Sequence, residues 1–149
     1  MNLPRSILVP TDFSSAASVA ADYAVNLAKE LGAKVALLHV YEVPVLGFPE
    51  APLVATPDMV ANIVKTTQGA LDVLAKRYED RGVTVTTFLK NGDAREIIHA
   101  VAEEVGADLL VMGTHGRRGI SRALLGSVTE EVIRTSSRPV LTLRVPDKP

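Results

Sequence analysis

The stretch "DLLVMGTHGRRGISRALLGSVTEE", Asp108 to Glu131, decides how this chain is organised. It opens with a run that is apolar throughout after its first residue and passes directly into four glycines within fourteen residues: Gly113, Gly116, Gly119 and Gly126. A short continuous apolar run reads as a strand covered on both faces, which is how strands of a parallel sheet look. Loops that follow such strands gather at one end of the sheet, where ligands bind. Ser127, with Glu130 three residues later, reads as a capping box that opens the next helix. Free amides at a helix start, beside residues without side chains, make a seat for an anion, because the N–H groups point outward and the dipole favours negative charge. No acid falls between Asp108 and Glu130, whereas Arg117, Arg118 and Arg122 add three positive charges, so the local field attracts anions.

Outward from this stretch, short apolar runs alternate with amphipathic segments, the pattern of βα units and a parallel sheet. "SILVP" reads as the first strand, and the loop Pro10-Thr11-Asp12 follows it directly as a second candidate ligand loop. Ala17, Ala20, Ala24, Leu27 and Leu31 then recur at helical spacing, with Ser14 or Ser15 as cap and Gly32 as stop. "KVALLHVY" is the second strand. Four prolines from Pro44 to Pro57 break any pattern and predict a long irregular loop. The next helix begins with Thr56 as cap and Pro57 at the first position, carries Val60, Ile63, Val64, Leu71, Leu74 and Tyr78 along one face, and stops at Gly82. "VTVTTFL" is a third strand, and Asp93 with Glu96 caps a third helix whose Ile97, Ile98, Val101 and Val105 face inward. The apolar run at Asp108 is the fourth strand. A helix near Val128 to Thr135 precedes "RPVLTLRV", whose alternation of apolar with Thr142 and Arg144 suits a sheet edge.

The chain has 149 residues, 47% apolar and 22% charged, a composition that fits one globular domain over residues 1–149. A net charge of −1 argues against a general nucleic-acid or membrane-surface binder, and no apolar run reaches a membrane span. With no signal-peptide pattern either, the cytoplasm is the expected compartment. Cysteine is absent, which removes disulfides, thiolate metal sites and cysteine nucleophiles. His39, inside an apolar strand, reads as a core residue and His99 as a helix-flank residue, while His115 lies in the glycine loop. Neither GxxxxGK[ST] nor GxGxxG is present, so a P-loop and a dinucleotide fingerprint are both unsupported. Each glycine alone has a structural reading: Gly113 as the end of a strand, Gly126 as a tight helix entry.

Gly113, two residues, Gly116, nine residues, Gly126 and then Ser127 is a spacing that resembles the ATP-binding members of the universal stress protein family. The likeness extends to "ILVPTDFS", "ALLHV", "GADLLVMGTHG" and "RPVLTLR", and so over nearly the whole chain. It implies a five-stranded parallel sheet of order 3-2-1-4-5 with helices on both faces, an adenine nucleotide alpha hydrolase-like, Rossmann-like arrangement. The nucleotide would lie between the ends of the first and fourth strands. Carried over by residue, Asp12 and the backbone of Val40 and Met112 would surround adenine, Gly113 would approach the ribose, and Gly116, Gly126, Ser127 and Val128 would follow the phosphates. Pro10 and Thr11 belong to the same rim, and Arg117 is a candidate phosphate contact. The resemblance also implies ATP as ligand, with any Mg or Mn held mainly by the nucleotide, and a homodimer through the last strand, Val140 to Val145. A nucleotide-independent interaction module, a binder of AMP or cyclic AMP, and a slow ATPase stay open. Protein partners are not named by the sequence.

Overall fold

The computed structural model describes residues 2–115 and 125–145. Strand β1 (Ser6–Pro10) is central, with helix α1 (Ser15–Leu31) and strand β2 (Lys34–Tyr41) after it. Helix α2 (Pro57–Glu79), β5 (Val85–Asn91), α3 (Ala94–Glu104), β6 (Leu109–Gly113), α4 (Ser127–Thr135) and β7 (Val140–Leu143) complete the main layers. Two further strands, β3 (Leu46–Phe48) and β4 (Ala51–Leu53), form a separate antiparallel pair. The sheet runs β5-β2-β1-β6-β7 with every neighbour parallel. Leaving the small pair aside, this is the order 3-2-1-4-5.

The alternation of side chains along the strands divides the interior in two. Ile7, Val9, Val35, Leu37 and Val111 meet α1 and the end of α2 on one face, whereas Leu8, Ala36, Leu38, Leu110 and Met112 meet α3 and α4 on the other. Helix α1 buries Ala20, Ala21, Ala24, Val25 and Ala28, so its backbone comes close to the sheet. Gly113 shows how close: a Cβ there would sit 2.7 Å from the carbonyl carbon of Ala16 and 2.8 Å from its oxygen. On the other face His99 links α3 to α4. The Thr135 hydroxyl donates to Glu131 O (2.8 Å), so at 2.8 Å it accepts from the His99 Nε2–H.

The caps at Ser14, Thr56 and Asp93 accept amides of their own first turns, and Pro57 opens α2. Three expectations need correction. The proline-rich segment is not irregular throughout, because β3 and β4 pair as a hairpin that turns at Pro49 and Glu50; within it Gly47, opposite Pro52, has φ +100, and a Cβ there would lie 2.6 Å from Ala51 O. Only the second half of α2 buries its stripe, through Leu71, Ala75 and Tyr78, while Val60, Ile63 and Val64 stay half-exposed. At 23 residues α2 is about 34 Å long, more than the sheet beneath it spans. It ends at Glu79, with Gly82 (φ +88) in the turn beyond. Third, Ser127 is not the cap of α4: Gly126 is, in extended backbone (φ −62, ψ 149), and no side chain caps the helix.

Candidate functional site

Strand β1 pairs with β2 from Ser6↔Lys34 to Pro10↔Leu38, but with β6 only at Ile7↔Leu109 and Leu8↔Leu110. Beyond Leu8 the two strands part, since β1 leads to α1 on one face and β6 to α4 on the other. That divergence opens a cavity of about 650 Å³ at the carboxyl ends of the strands, a size suited to a small molecule. Every candidate residue within the described part of the chain lines it: Pro10, Thr11 and Asp12, then Val40, then Met112 and Gly113, then Gly126, Ser127 and Val128. Gly116 and Arg117, with Arg118, Gly119 and Arg122, lie outside the described residues.

The first loop is held firmly. Thr11 N–H donates to Leu38 O (2.8 Å), the Thr11 hydroxyl accepts from Phe13 N–H (3.0 Å), and Asp12 Oδ1 accepts from Ser14 N–H (3.0 Å). His39 Nδ1 lies 2.7 Å from Thr11 O, and a carbonyl only accepts, so this nitrogen carries the proton. Phe13 takes a left-handed backbone (φ +62) and stacks on the His39 ring, with centroids 4.8 Å apart. His39 is thus a satisfied residue that pins the loop from behind.

Backbone direction explains Val40. Lys34 donates to Arg5 O (3.0 Å) and Leu38 O accepts from Thr11, so even-numbered residues of β2 face β1. Val35 donates to Thr84 O (2.9 Å) and Tyr41 O accepts from Gly92 (3.1 Å), so odd-numbered ones face β5. Val40 is the next even position after β1 has ended. Among the described residues its N–H and C=O therefore have no strand partner, and Val40 lines the cavity.

Helix α4 supplies the opposite wall. Gly126 N–H donates to Thr114 O (2.7 Å), and the first intrahelical bond runs from Glu130 N–H to Gly126 O (2.9 Å). The amides of Ser127, Val128 and Thr129 precede it and have no partner among the described residues. The Thr129 hydroxyl donates to Gly113 O (2.9 Å), tying this wall to the end of β6. His115 lines the same space: its Nδ1 is 3.0 Å from the Thr114 hydroxyl, and its Nε2 is buried with no partner among the described residues.

A third side was not legible from the two loops chosen in the sequence. Glu42, just beyond β2, Gly92 and Asp93, between β5 and α3, and Ala94 and Arg95, the first two residues of α3, also line the cavity. Asp93 accepts Arg95 N–H (2.9 Å) and Arg95 Nε (3.0 Å) on Oδ1, and Arg95 Nη2 (2.5 Å) on Oδ2. These bonds, the guanidinium first and the backbone amide second, hold the Asp93 carboxyl down at about 2 and raise the pKa of Arg95. The signal was available: a third parallel strand must end at the same edge of the sheet, so "NGDAR" belonged to the same rim. Among the described residues no group of three or more His, Asp or Glu side chains is arranged to hold a metal ion, and no helix is long and apolar enough to cross a membrane.

An open parallel sheet flanked by helices, with a ligand-sized cavity at its switch point, defines an α/β protein of the Rossmann-like class. The model of the universal stress protein family matches residues 4–144, and the chain belongs to that family. Universal stress protein MJ0531 of Methanocaldococcus jannaschii is 38% identical over 99% of this chain and 86% of its own length. Universal stress protein MJ0577 of the same organism is 32% identical over 94% of each chain. The solved structure of MJ0577 superposes with a TM-score of 0.80, at 28% identity, over 97% of this chain and 98% of that one. A universal stress protein solved in complex with cAMP gives a TM-score of 0.65 at 25% identity, over 96% and 98%.

Proposed function

We propose that the chain binds an adenine nucleotide, ATP foremost, in the cavity between β1 and β6, and acts as a nucleotide-dependent stress-response or signalling module. One observation carries this reading: a single cavity is lined both by Val40, whose N–H and C=O have no strand partner among the described residues, and by the start of α4, whose first amides have no partner among them either. Adenine offers a ring acceptor beside an amino donor, the complement of the Val40 pair. Phosphate oxygens complement the Ser127, Val128 and Thr129 amides, and the buried His115 Nε2 is a further polar group on that side. Leu38, Met112 and Ile98 supply apolar surface between the two ends. Pro10, Thr11, Asp12 and Gly113 complete the rim; Gly116 and Arg117, outside the described residues, are assigned to the phosphates by the family spacing alone, as part of this proposal. Micromolar affinity needs about 8 kcal/mol, and charge-assisted amide bonds at about 1.5 to 3 kcal/mol each supply much of it.

We propose that any Mg or Mn ion accompanying the nucleotide is held mainly by its phosphates. We read the chain as a binder and not a dedicated hydrolase. We also propose a homodimer formed by the outer edge of β7, within Val140 to Val145.

Gly126→Val tests the site. The extended backbone at Gly126 accepts valine, but the isopropyl group stands where phosphate approaches the α4 amides. By isothermal calorimetry the variant, still folded by circular dichroism, binds ATP at least about tenfold more weakly, a loss of about 1.4 kcal/mol. Binding as tight as the parent's in a folded variant would sink the assignment. A second reading, cyclic AMP as the preferred ligand, is favoured by the related protein solved with cAMP. Parallel titrations with ATP, AMP and cyclic AMP rank the three.

A further inference from the structure

We propose that Arg95 is a base-stacking residue of this site: its guanidinium plane, locked along one edge by Asp93, covers a face of the base whose rim Val40 reads. The inference rests on the nucleotide reading and adds a residue that neither the glycine spacing nor the first loop contains. Arg95 occupies the second position of α3, where a cation opposes the helix dipole, and it lines the cavity. Its Nε and Nη2 are taken up by the Asp93 carboxylate, which fixes the plane of the group while leaving both faces and Nη1 outside the pair. An exposed pair of this kind stabilises the fold little by itself. A guanidinium anchored by its edge is, however, a preorganised flat surface, and arginine stacks on nucleobases in this way. The apolar wall of Leu38, Val40 and Ile98 borders the same cavity and offers the other face of the ring its contact. Lysine, with a point charge and no plane, cannot replace it.

The test compares the parent with Arg95→Met and Arg95→Lys, titrated with ATP and with unphosphorylated adenosine while the adenine absorbance is followed. Stacking predicts that Arg95→Met weakens both ligands by a similar factor, about tenfold, and abolishes the absorbance shift seen on binding to the parent. Arg95→Lys restores neither. The proposal is overturned if Arg95→Met leaves ATP affinity within about twofold of the parent, or if the loss is confined to ATP, which would make Arg95 a phosphate contact. It is also overturned if Arg95→Lys recovers full affinity and the absorbance shift. A parent that binds neither ligand instead removes the nucleotide reading on which the proposal stands. Thermal melts separate these outcomes from loss of fold, because more than half of the Arg95 side chain is exposed.

Discussion

Gly113 shows what a single position can carry. Its place in the glycine spacing suggests contact with a ligand, yet the structure gives it a packing duty that holds with or without one: the backbone of α1 at Ala16 occupies the space a side chain would need. Gly113→Ala forces a Cβ against backbone atoms that have no rotamer to escape into, so the variant loses about 1–3 kcal/mol of stability. Urea denaturation should show a lower midpoint at unchanged slope; an equal midpoint would mean that α1 moves away freely. His39 shows the converse case, a polar residue whose role a sequence can place only as far as the core. The carbonyl of Thr11 decides which nitrogen holds the proton, and that contact lies 28 positions away in the chain. Ser127 was misread because Ser followed three residues later by Glu fits a capping box, whereas the backbone puts the cap one residue earlier.

Among the elements, α3 and β7 make distinct predictions. Asp93 caps α3 and has its carboxyl pKa lowered from 3.8 to about 2, chiefly by the Arg95 guanidinium. A depressed carboxyl pKa stabilises the fold above the unfolded value, and that contribution is lost as pH falls through the folded value. The parent's melting temperature should therefore fall between about pH 4 and pH 2 more steeply than that of Asp93→Asn, while above that window the variant melts lower. Parallel curves would show that the pair contributes nothing to folding. For β7, Leu110 donates to Pro139 O and Thr114 to Leu143 O, so its odd-numbered residues serve β6. The N–H of Thr142 therefore faces the open edge, where proline is tolerated within the sheet but cannot donate to a second strand. Helices and buried strands were legible because apolar spacing and caps are local. The hairpin was hidden because its turn carries Pro49 and its second strand carries Pro52, and prolines argue for irregularity in the sequence.

At the level of the molecule, alternating strands and helices pointed to a parallel sheet, and its order was legible only through the family resemblance. The two loops flanking the switch point were legible because each directly follows a recognisable strand. The third side was not, because Glu42 and Arg95 enter the cavity only through the parallel pairing of β2 with β5. If the proposed dimer forms along β7, Thr142→Pro should give a folded monomer in sedimentation analysis; a variant that still sediments as a dimer would place the interface elsewhere. The short ladder between β1 and β6 has a consequence of a different kind. The depth of the cavity is fixed by the residue at which those strands stop pairing, Leu8 with Leu110, and not by the side chains around its mouth. One more paired residue would raise the floor by about 3.3 Å and one fewer would lower it by as much. Substitutions at the rim can change what is gripped, but how far a ligand sinks between the strands is written in the register of the backbone.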